Sequence, residues 1–420
     1  MNTDRVKHKV KHTEERYIEM ARGVVFALFM GTMLGAVGGA FYICIARVTE
    51  FREAYPWMIF FLPVTAVVIL FFYHILHNDR DKGTNLVLAS IQSDEDVPLR
   101  MSALIFISTV LSHLVGASVG REGAALQIGG AVGNFLGRFF NFSQEEKKTL
   151  TMVGMSAMFS ALFGTPIAAA FFSLEVVSVG IMHYGALLPC VLASFVARGI
   201  AGYMGAASPF FDIGKLPGFE GMSALKVAGL AALCGILSIL FCVLLRYGEH
   251  FGKKLLKNKY IRAAVLGTVV LGLTLLIGNQ TYNGAGVDYI NACVEGREEP
   301  FGFLIKIVFT VLSIVAGYRG GEIVPSFFIG ASFGCLYGNI LGWEPALCAA
   351  IGMGTVFCGV TNCPVTSLLI CCELFGFDGS LYFLLACAVA YMFSGYYGLY
   401  TSQRIVYSKF KSNYIDKKVQ

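Results

Sequence analysis

Two short segments of the chain place acidic side chains where backbone amides can gather an anion. One is Gly120-Arg121-Glu122-Gly123, and the other is Gly320-Gly321-Glu322-Ile323-Val324-Pro325. Each glycine-rich turn opens an apolar stretch of helical length. Glycine lets successive N–H groups converge, and the first N–H groups of a helix have no partner inside it. The helix adds partial positive charge at the same end, so such a turn attracts an anion without a full cation. Pro325 suits a first turn, where its missing N–H costs nothing. Two such turns meeting at the membrane midplane would make a dehydrated site that can still release its ion, since a fixed charge would hold it too tightly. Glu122 stands in one of these turns. Its carboxylate can occupy the site in place of the ion, and a proton that neutralises it frees the site, which couples proton to anion movement. The plainer reading is a pair with Arg121 or a helix cap. Glu322 is the second acid of this kind, read as a proton relay or ion-site acid, or else as the partner of Arg319.

The elements that position these residues belong to a membrane. Only 14% of the 420 residues are charged and 56% are hydrophobic, with a mean hydropathy of +0.67. Soluble domains carry about 25% charged residues. Gly23 to Ala46, Val227 to Leu245, Ile323 to Trp343 and Gly379 to Gln403 contain no Asp, Glu, Lys or Arg, and about 20 such residues span a bilayer as a helix. The 48 glycines fit close helix packing in lipid. Residues 1–22 are hydrophilic and basic (Arg5, Lys7, Lys9, Lys11, Arg16), and the apolar stretch after them is too long for a signal peptide. Further basic clusters lie at 246–262 and at Lys409, Lys411, Lys417 and Lys418. The positive-inside rule puts all three on the cytoplasmic side, so the net charge of +5 reports topology and not nucleic-acid binding. The 12 cysteines show no metal-ligand spacing and read as reduced thiols packing as small hydrophobes.

Two apolar runs are too long for one crossing and are interrupted, at Gly164-Thr165-Pro166 and at Asn362-Cys363-Pro364. Proline breaks a helix, and irregular backbone at membrane depth survives only beside protein or a water-filled cavity. Each interruption is followed by the same pattern, proline, eight uncharged residues and a glutamate: Pro166 to Glu175 and Pro364 to Glu373. Each is preceded by one of the glycine-rich turns. The order therefore occurs twice, roughly 200 residues apart. Paired interruptions in two halves point to a substrate site at the midplane. Glu175 and Glu373 each end a helical run and read as structural; His113, in an apolar run, reads as a packed histidine.

Gly120-Arg121-Glu122-Gly123 followed by Gln127 resembles the G-R-E-G-x-x-x-Q signature of the CLC family of chloride channels and anion/proton exchangers. Gly321-Glu322-Ile323-Val324-Pro325 is similar to that family's second signature, G-x-F-x-P, and Tyr400 falls in the matching order near the C-terminus. The resemblance covers about residues 20 to 405. It implies a homodimer with one ion pathway and one inverted repeat per subunit. It makes Glu122 the gating glutamate and Tyr400 the hydroxyl at the central ion, and it adds the N–H groups of Ile323 and Val324 as anion donors. Gly120, Arg121, Gly123, Thr84 and Asn85 complete the anion-binding set. The departures narrow the reading. Chloride-type members carry G-S-G-x-P where this chain has Gly83-Thr84-Asn85-Leu86-Val87. Proton-coupled chloride exchangers often place an internal glutamate where this chain has Val176, and the second signature here contains an acid, Glu322. This combination resembles the fluoride-exporting CLC-F branch. Fluoride is small and tightly hydrated, so its site must replace water with strong donors; the β-branched Thr84 is also stiffer than serine.

The expected protein is an all-α polytopic membrane protein of CLC fold with inverted-topology repeats and broken helices. It divides into a cytoplasmic tail (1–22), a first membrane repeat (23–215), a second (216–405) and a second cytoplasmic tail (406–420). The expected function is fluoride/proton antiport through a site gated by Glu122, with Glu322 as second acid, without cofactor or metal, as a homodimer in a bacterial plasma membrane. A chloride/proton exchanger or chloride channel of the same fold is the alternative. A membrane-embedded hydrolase using Glu122, Glu322 or His113 lacks any nucleophile motif.

Overall fold

A computed structural model describes residues 3–78, 82–93, 95–411 and 413–420, with side chains from residue 20 onward. The basic side chains from Arg5 to Arg16 lie outside the described residues. The backbone of that stretch is the first part of helix α1, Thr3–Ala54. There follow α2 (Leu62–Ile75), α3 (Thr84–Gln92), α4 (Arg100–Leu114), α5 (Glu122–Phe139), α6 (Gln144–Phe163), α7 (Pro166–Glu175) and α8 (Leu187–Tyr203). The second half contains α9 (Gly221–Leu255), α10 (Lys259–Ile277), α11 (Val287–Val294), α12 (Gly302–Ala316), α13 (Ile323–Leu341), α14 (Pro345–Thr361), α15 (Pro364–Phe375) and α16 (Ser380–Phe393). Among the described residues, six helical segments are long and apolar enough to cross a bilayer, including Met20–Ala54, Gly221–Leu255 and Lys259–Ile277. Leu225, Ile236 and Leu240 of α9 and Val265, Val269 and Leu275 of α10 stay exposed. A belt of this kind is stable only against lipid.

Both interruptions expected from the sequence are present, and they are built alike. α6 ends on Gly164 and α14 ends on Asn362, each in the left-handed region, where these two residue types are tolerated best. A proline then starts the next helix, at Pro166 in α7 and Pro364 in α15. The helix pairs before the breaks also match. α5 meets α6 at Gly129 and Gly154, and α13 meets α14 at Gly330 and Gly352. A Cβ on Gly129 would stand 2.1 Å from the Gly154 carbonyl oxygen, and one on Gly330 would stand 2.2 Å from that of Gly352. Both contacts require glycine, because the backbones touch.

The helix ends of the two halves are tied to each other. Glu175, the last residue of α7, accepts the N–H groups of Val365 (3.1 Å) and Thr366 (2.8 Å) and the Thr366 hydroxyl (2.6 Å) at the start of α15. Glu373 of α15 accepts those of Ile167 (3.0 Å) and Ala168 (2.8 Å) at the start of α7. Each carboxylate caps the other half's helix, where orphan N–H groups and the helix dipole favour negative charge. Their structural reading from the sequence thus acquires partners. His113 is buried, with Nδ1 2.9 Å from the Thr109 carbonyl oxygen.

The helical architecture carries one addition, a three-stranded sheet. β1 (Ser178–Val179) pairs in parallel with β2 (Arg404–Tyr407), which pairs antiparallel with β3 (Tyr414–Lys418). The segment read as a C-terminal tail therefore folds back onto the membrane body. Lys409, grouped by sequence with the C-terminal basic cluster, is buried there.

Candidate anion site

The two glycine-rich turns meet head on. The Gly120 N–H donates to the Gly321 carbonyl at 2.6 Å, and the Gly321 N–H returns a bond to the Gly120 carbonyl at 2.9 Å. A Cβ on Gly321 would lie 2.5 Å from the Gly123 nitrogen, and one on Gly320 would lie 2.5 Å from the Gly120 oxygen. Glycine at these positions is a condition of the junction. It brings the N-terminus of α5 and the N-terminus of α13 to one place, so the unpaired first-turn N–H groups of both helices converge.

Glu122 begins α5 and is 1% exposed. Its carboxylate turns back on its own loop. Oε2 accepts the Arg121 N–H at 3.0 Å, and Oε1 lies 3.5 Å from Arg121 Nε. Oε1 has no hydrogen-bond partner among the described residues. The Arg121 guanidinium lies 4.7 Å from the centre of the Tyr42 ring. The pairing with Arg121 weighed as the plainer reading is thus present, but at Oε1 it is an ion pair without a hydrogen bond.

Beneath the junction lies a cavity of about 440 Å³. Thr84, Asn85, Glu322 and Tyr400 all line it, together with Gly83, Gln127 and Gly320. The structure thus unites four of the sequence-predicted residues, drawn from three distant segments. Gly83 heads α3 at φ +58°, a conformation that suits glycine, and this turn delivers Thr84 to the cavity. The Thr84 hydroxyl donates to the Gly123 carbonyl at 3.3 Å and accepts from Gln127 Nε2 at 3.3 Å. Its proton is directed at the gate turn and would have to rotate to meet an ion. Asn85 Oδ1 accepts the Thr401 hydroxyl (3.3 Å) and the Ser402 N–H (3.0 Å), so this side chain braces the Tyr400 loop. The Tyr400 hydroxyl is buried without a hydrogen-bond partner among the described residues, within electrostatic reach of both Glu322 and Glu122. A buried hydroxyl costs free energy unless it is bonded, so this donor is poised for a guest. Glu322 stands at the N-cap position of α13, makes no capping bond with its side chain, and is partly open to the cavity. Ile323 and Val324 form the first turn behind it, and both are buried.

Three features escaped the sequence reading. Gln127 was noted only as part of a signature, yet it holds the Thr84 hydroxyl. Arg246, Glu249 and Lys253 of α9 line the cavity mouth, and their helical spacing after Cys242 was the available signal. Val176 offers its carbonyl to Gln403 Nε2 at 2.9 Å, a contact that spacing cannot reveal.

The family profile described as "Voltage gated chloride channel" matches residues 64–395. The chain belongs to the CLC family. It is similar to a chloride/fluoride channel protein of Pseudomonas syringae pv. tomato, with 34% identity over 93% of this chain and 88% of that one. It is also similar to the H(+)/Cl(−) exchange transporter ClcA of Vibrio cholerae, with 25% identity over 83% of this chain and 81% of that one. Among solved structures it is similar to a CLC-type fluoride/proton antiporter, with a TM-score of 0.88 and 32% identity over 92% of this chain and 98% of that one. A slow cyanobacterial Cl−/H+ antiporter shares the fold, with a TM-score of 0.76 and 18% identity over 89% of this chain and 94% of that one. The chain is thus a multi-pass membrane protein of CLC fold, an anion transporter family and not an enzyme family.

Proposed function

We propose that this CLC protein is a fluoride/proton antiporter that exports cytoplasmic fluoride. The observation that carries the reading is the meeting in one cavity of an unpartnered buried hydroxyl, Tyr400, with the acid Glu322, while Glu122 stands in the turn bonded to Gly321 and within electrostatic reach of Tyr400. Fluoride entering from the cavity is met by the Tyr400 hydroxyl, the Thr84 hydroxyl after rotation and the first-turn N–H groups of Ile323 and Val324. Glu122 is the gate. Ionised, it competes with the ion for the helix N-termini; protonated, it yields the site and carries its proton across. Glu322 exchanges protons with the cavity. The likeness to a fluoride/proton antiporter along almost the whole chain supports this subtype, as do Thr84, Val176 and Glu322 at the positions that depart from chloride-type members.

The same reading takes residues 23–215 and 216–405 as the two repeats, related by the matched breaks and crossed caps. It places both termini in the cytoplasm of a bacterial cell. It makes the protein a homodimer, joined through the exposed apolar residues of α8, α15 and α16, such as Leu188, Val365, Leu381 and Leu384. Light scattering of the purified protein should give a mass of two copies; a monomer would remove this part of the reading.

The test of function is efflux from liposomes followed with fluoride and chloride electrodes, with and without a pH gradient. Fluoride release should exceed chloride release, and an inward proton gradient should drive fluoride out against its own gradient. Faster chloride release would assign the chain to the chloride-type exchangers. Release that ignores the proton gradient would make it a channel.

A further inference from the structure

Tyr400 is carried by an irregular loop, residues 396–403, that follows α16. A loop at this depth must satisfy its backbone groups within the protein. Its partners come from the C-terminal segment, from Val360 of α14, from Asn85 and from the side chain of Gln403. The Gln420 N–H donates to the Tyr396 carbonyl (2.8 Å), the Gly398 N–H donates to the Gln420 carbonyl (3.3 Å), and the Val419 N–H donates to the Gln403 carbonyl (3.2 Å). The Leu399 N–H reaches the Val360 carbonyl at 2.8 Å. Gln403, with no exposed surface, uses its whole amide. Nε2 donates to the Val176 carbonyl (2.9 Å) and the Thr361 carbonyl (2.8 Å), and Oε1 accepts Asn362 Nδ2 (3.0 Å). Asn362 also donates to the Tyr397 carbonyl at 3.0 Å, and its oxygen takes the buried Lys409 ammonium at 2.5 Å. Lys409 completes its bonds on the Tyr391 carbonyl (3.1 Å) and the Ser394 hydroxyl (2.9 Å).

We infer that Gln403 is a positioning residue for the anion site: with the hairpin behind it, its amide clamps the Tyr400 loop between the end of α7 and the end of α14 and thereby sets how far the Tyr400 hydroxyl reaches into the cavity. The inference rests on Tyr400 as a ligand of the ion. The two carbonyls held by Gln403 belong to the two broken-helix elements, so the clamp refers Tyr400 to both halves of the molecule. A fully bonded buried amide has one arrangement, and that fixes its loop. Gln403 does not line the cavity, whereas Tyr400 does, so its effect reaches the anion through the loop that carries Tyr400.

The full chain, purified and reconstituted in liposomes, tests this with Gln403→Glu, Gln403→Met, Gln420→Pro, Tyr400→Phe and the double change Gln403→Glu with Tyr400→Phe. Gln403→Glu keeps size but loses both donors. Gln420→Pro removes the N–H bonded to Tyr396 at an exposed chain end. Fluoride binding is read by titration calorimetry, and KM, kcat and proton-to-fluoride ratio by efflux. Gln403→Glu and Gln403→Met should raise the fluoride Kd and KM about fivefold to tenfold, the loss expected for one or two hydrogen bonds, with the proton ratio unchanged. Gln420→Pro should shift KM the same way by less. The double variant should be no weaker than Tyr400→Phe alone. Wild-type Kd in Gln403→Glu and Gln420→Pro beside a weakened Tyr400→Phe overturns the clamp, as does an additive double variant, which would mean that Gln403 acts without Tyr400. Wild-type affinity in Tyr400→Phe instead removes Tyr400 as the ion ligand, a failure of the site reading itself.

Discussion

At the scale of single residues the site is organised around buried oxygen atoms that lack a hydrogen bond among the described residues, Oε1 of Glu122 and the hydroxyl of Tyr400, and burial makes such groups costly unless something binds them. Glu122 is held only by its neighbour Arg121, through one backbone hydrogen bond and a 3.5 Å ion pair, so a proton or a displacing ion can release it. Glu122→Gln keeps the shape and removes the titration. It should leave fluoride flux that no longer responds to a pH gradient, measured by simultaneous fluoride-electrode and pH recordings; a retained proton ratio would take Glu122 out of the coupling. Glu322→Gln should slow proton-coupled fluoride release by about a hundredfold, the lower end for a lost proton-transfer group, without abolishing fluoride binding by calorimetry. Glu122 and Glu322 could be found in the sequence because acids inside glycine-rich turns are rare in apolar surroundings. Gln127 and Gln403 could not, because each acts through bonds to residues far along the chain, Thr84 in one case and Val176 and Thr361 in the other. A polar residue in an apolar run signals that it has a partner but not which.

Among elements, the half-length helices do the positioning, and their ends carry the chemistry. α7 and α15 stop and start inside the molecule because Pro166 and Pro364 forbid continuation. The cost of those interior ends is offset by Glu175 and Glu373, each supplying its carboxylate to the other half's first turn. Glu175 receives three bonds, including the Thr366 hydroxyl, and Glu373 receives two backbone bonds. Glu175→Ala should therefore destabilise more than Glu373→Ala, by about 3 kcal/mol against about 2 kcal/mol for lost charge-assisted bonds to orphan N–H groups. Thermal unfolding monitored by size-exclusion chromatography in detergent ranks the two, and equal or reversed shifts would contradict the count of bonds. The breaks themselves were legible because proline and glycine act locally. The crossed caps were not, since two Pro-x8-Glu patterns of identical spacing do not say whether each glutamate serves its own half or the other. The hairpin of β2 and β3 was missed for a related reason: nine strand residues at a basic chain end resemble a tail until β1, more than 200 positions away, supplies an edge.

The molecule as a whole presents the cavity to water through a charged rim in an otherwise apolar body. Lys82, Arg246 and Lys253 line that mouth along with Glu249, whose carboxylate lies 3.5 Å from Lys253. Cations outnumber acids there, and low-dielectric walls focus such a field toward the cavity floor. The positive-inside signal read from the 246–262 cluster and this focusing share Arg246 and Lys253: on the proposed reading, charges that orient the chain in the membrane also concentrate fluoride at the cytoplasmic face. The two roles separate by experiment, because topology is set once during insertion whereas steering responds to salt. Replacing Arg246 and Lys253 together by Gln should raise the fluoride KM about threefold at low ionic strength, on the order of 10 mM, where charges interact over about 30 Å. The difference should vanish near 0.5 M of an inert salt such as potassium gluconate, where the screening length falls to a few ångströms. kcat and the proton ratio should stay at wild-type values throughout, since neither residue touches Glu122 or Tyr400. A KM shift that persists at high salt would mean that Arg246, which also reaches the Gly398 carbonyl at 3.5 Å, acts by bracing the Tyr400 loop and not by its field.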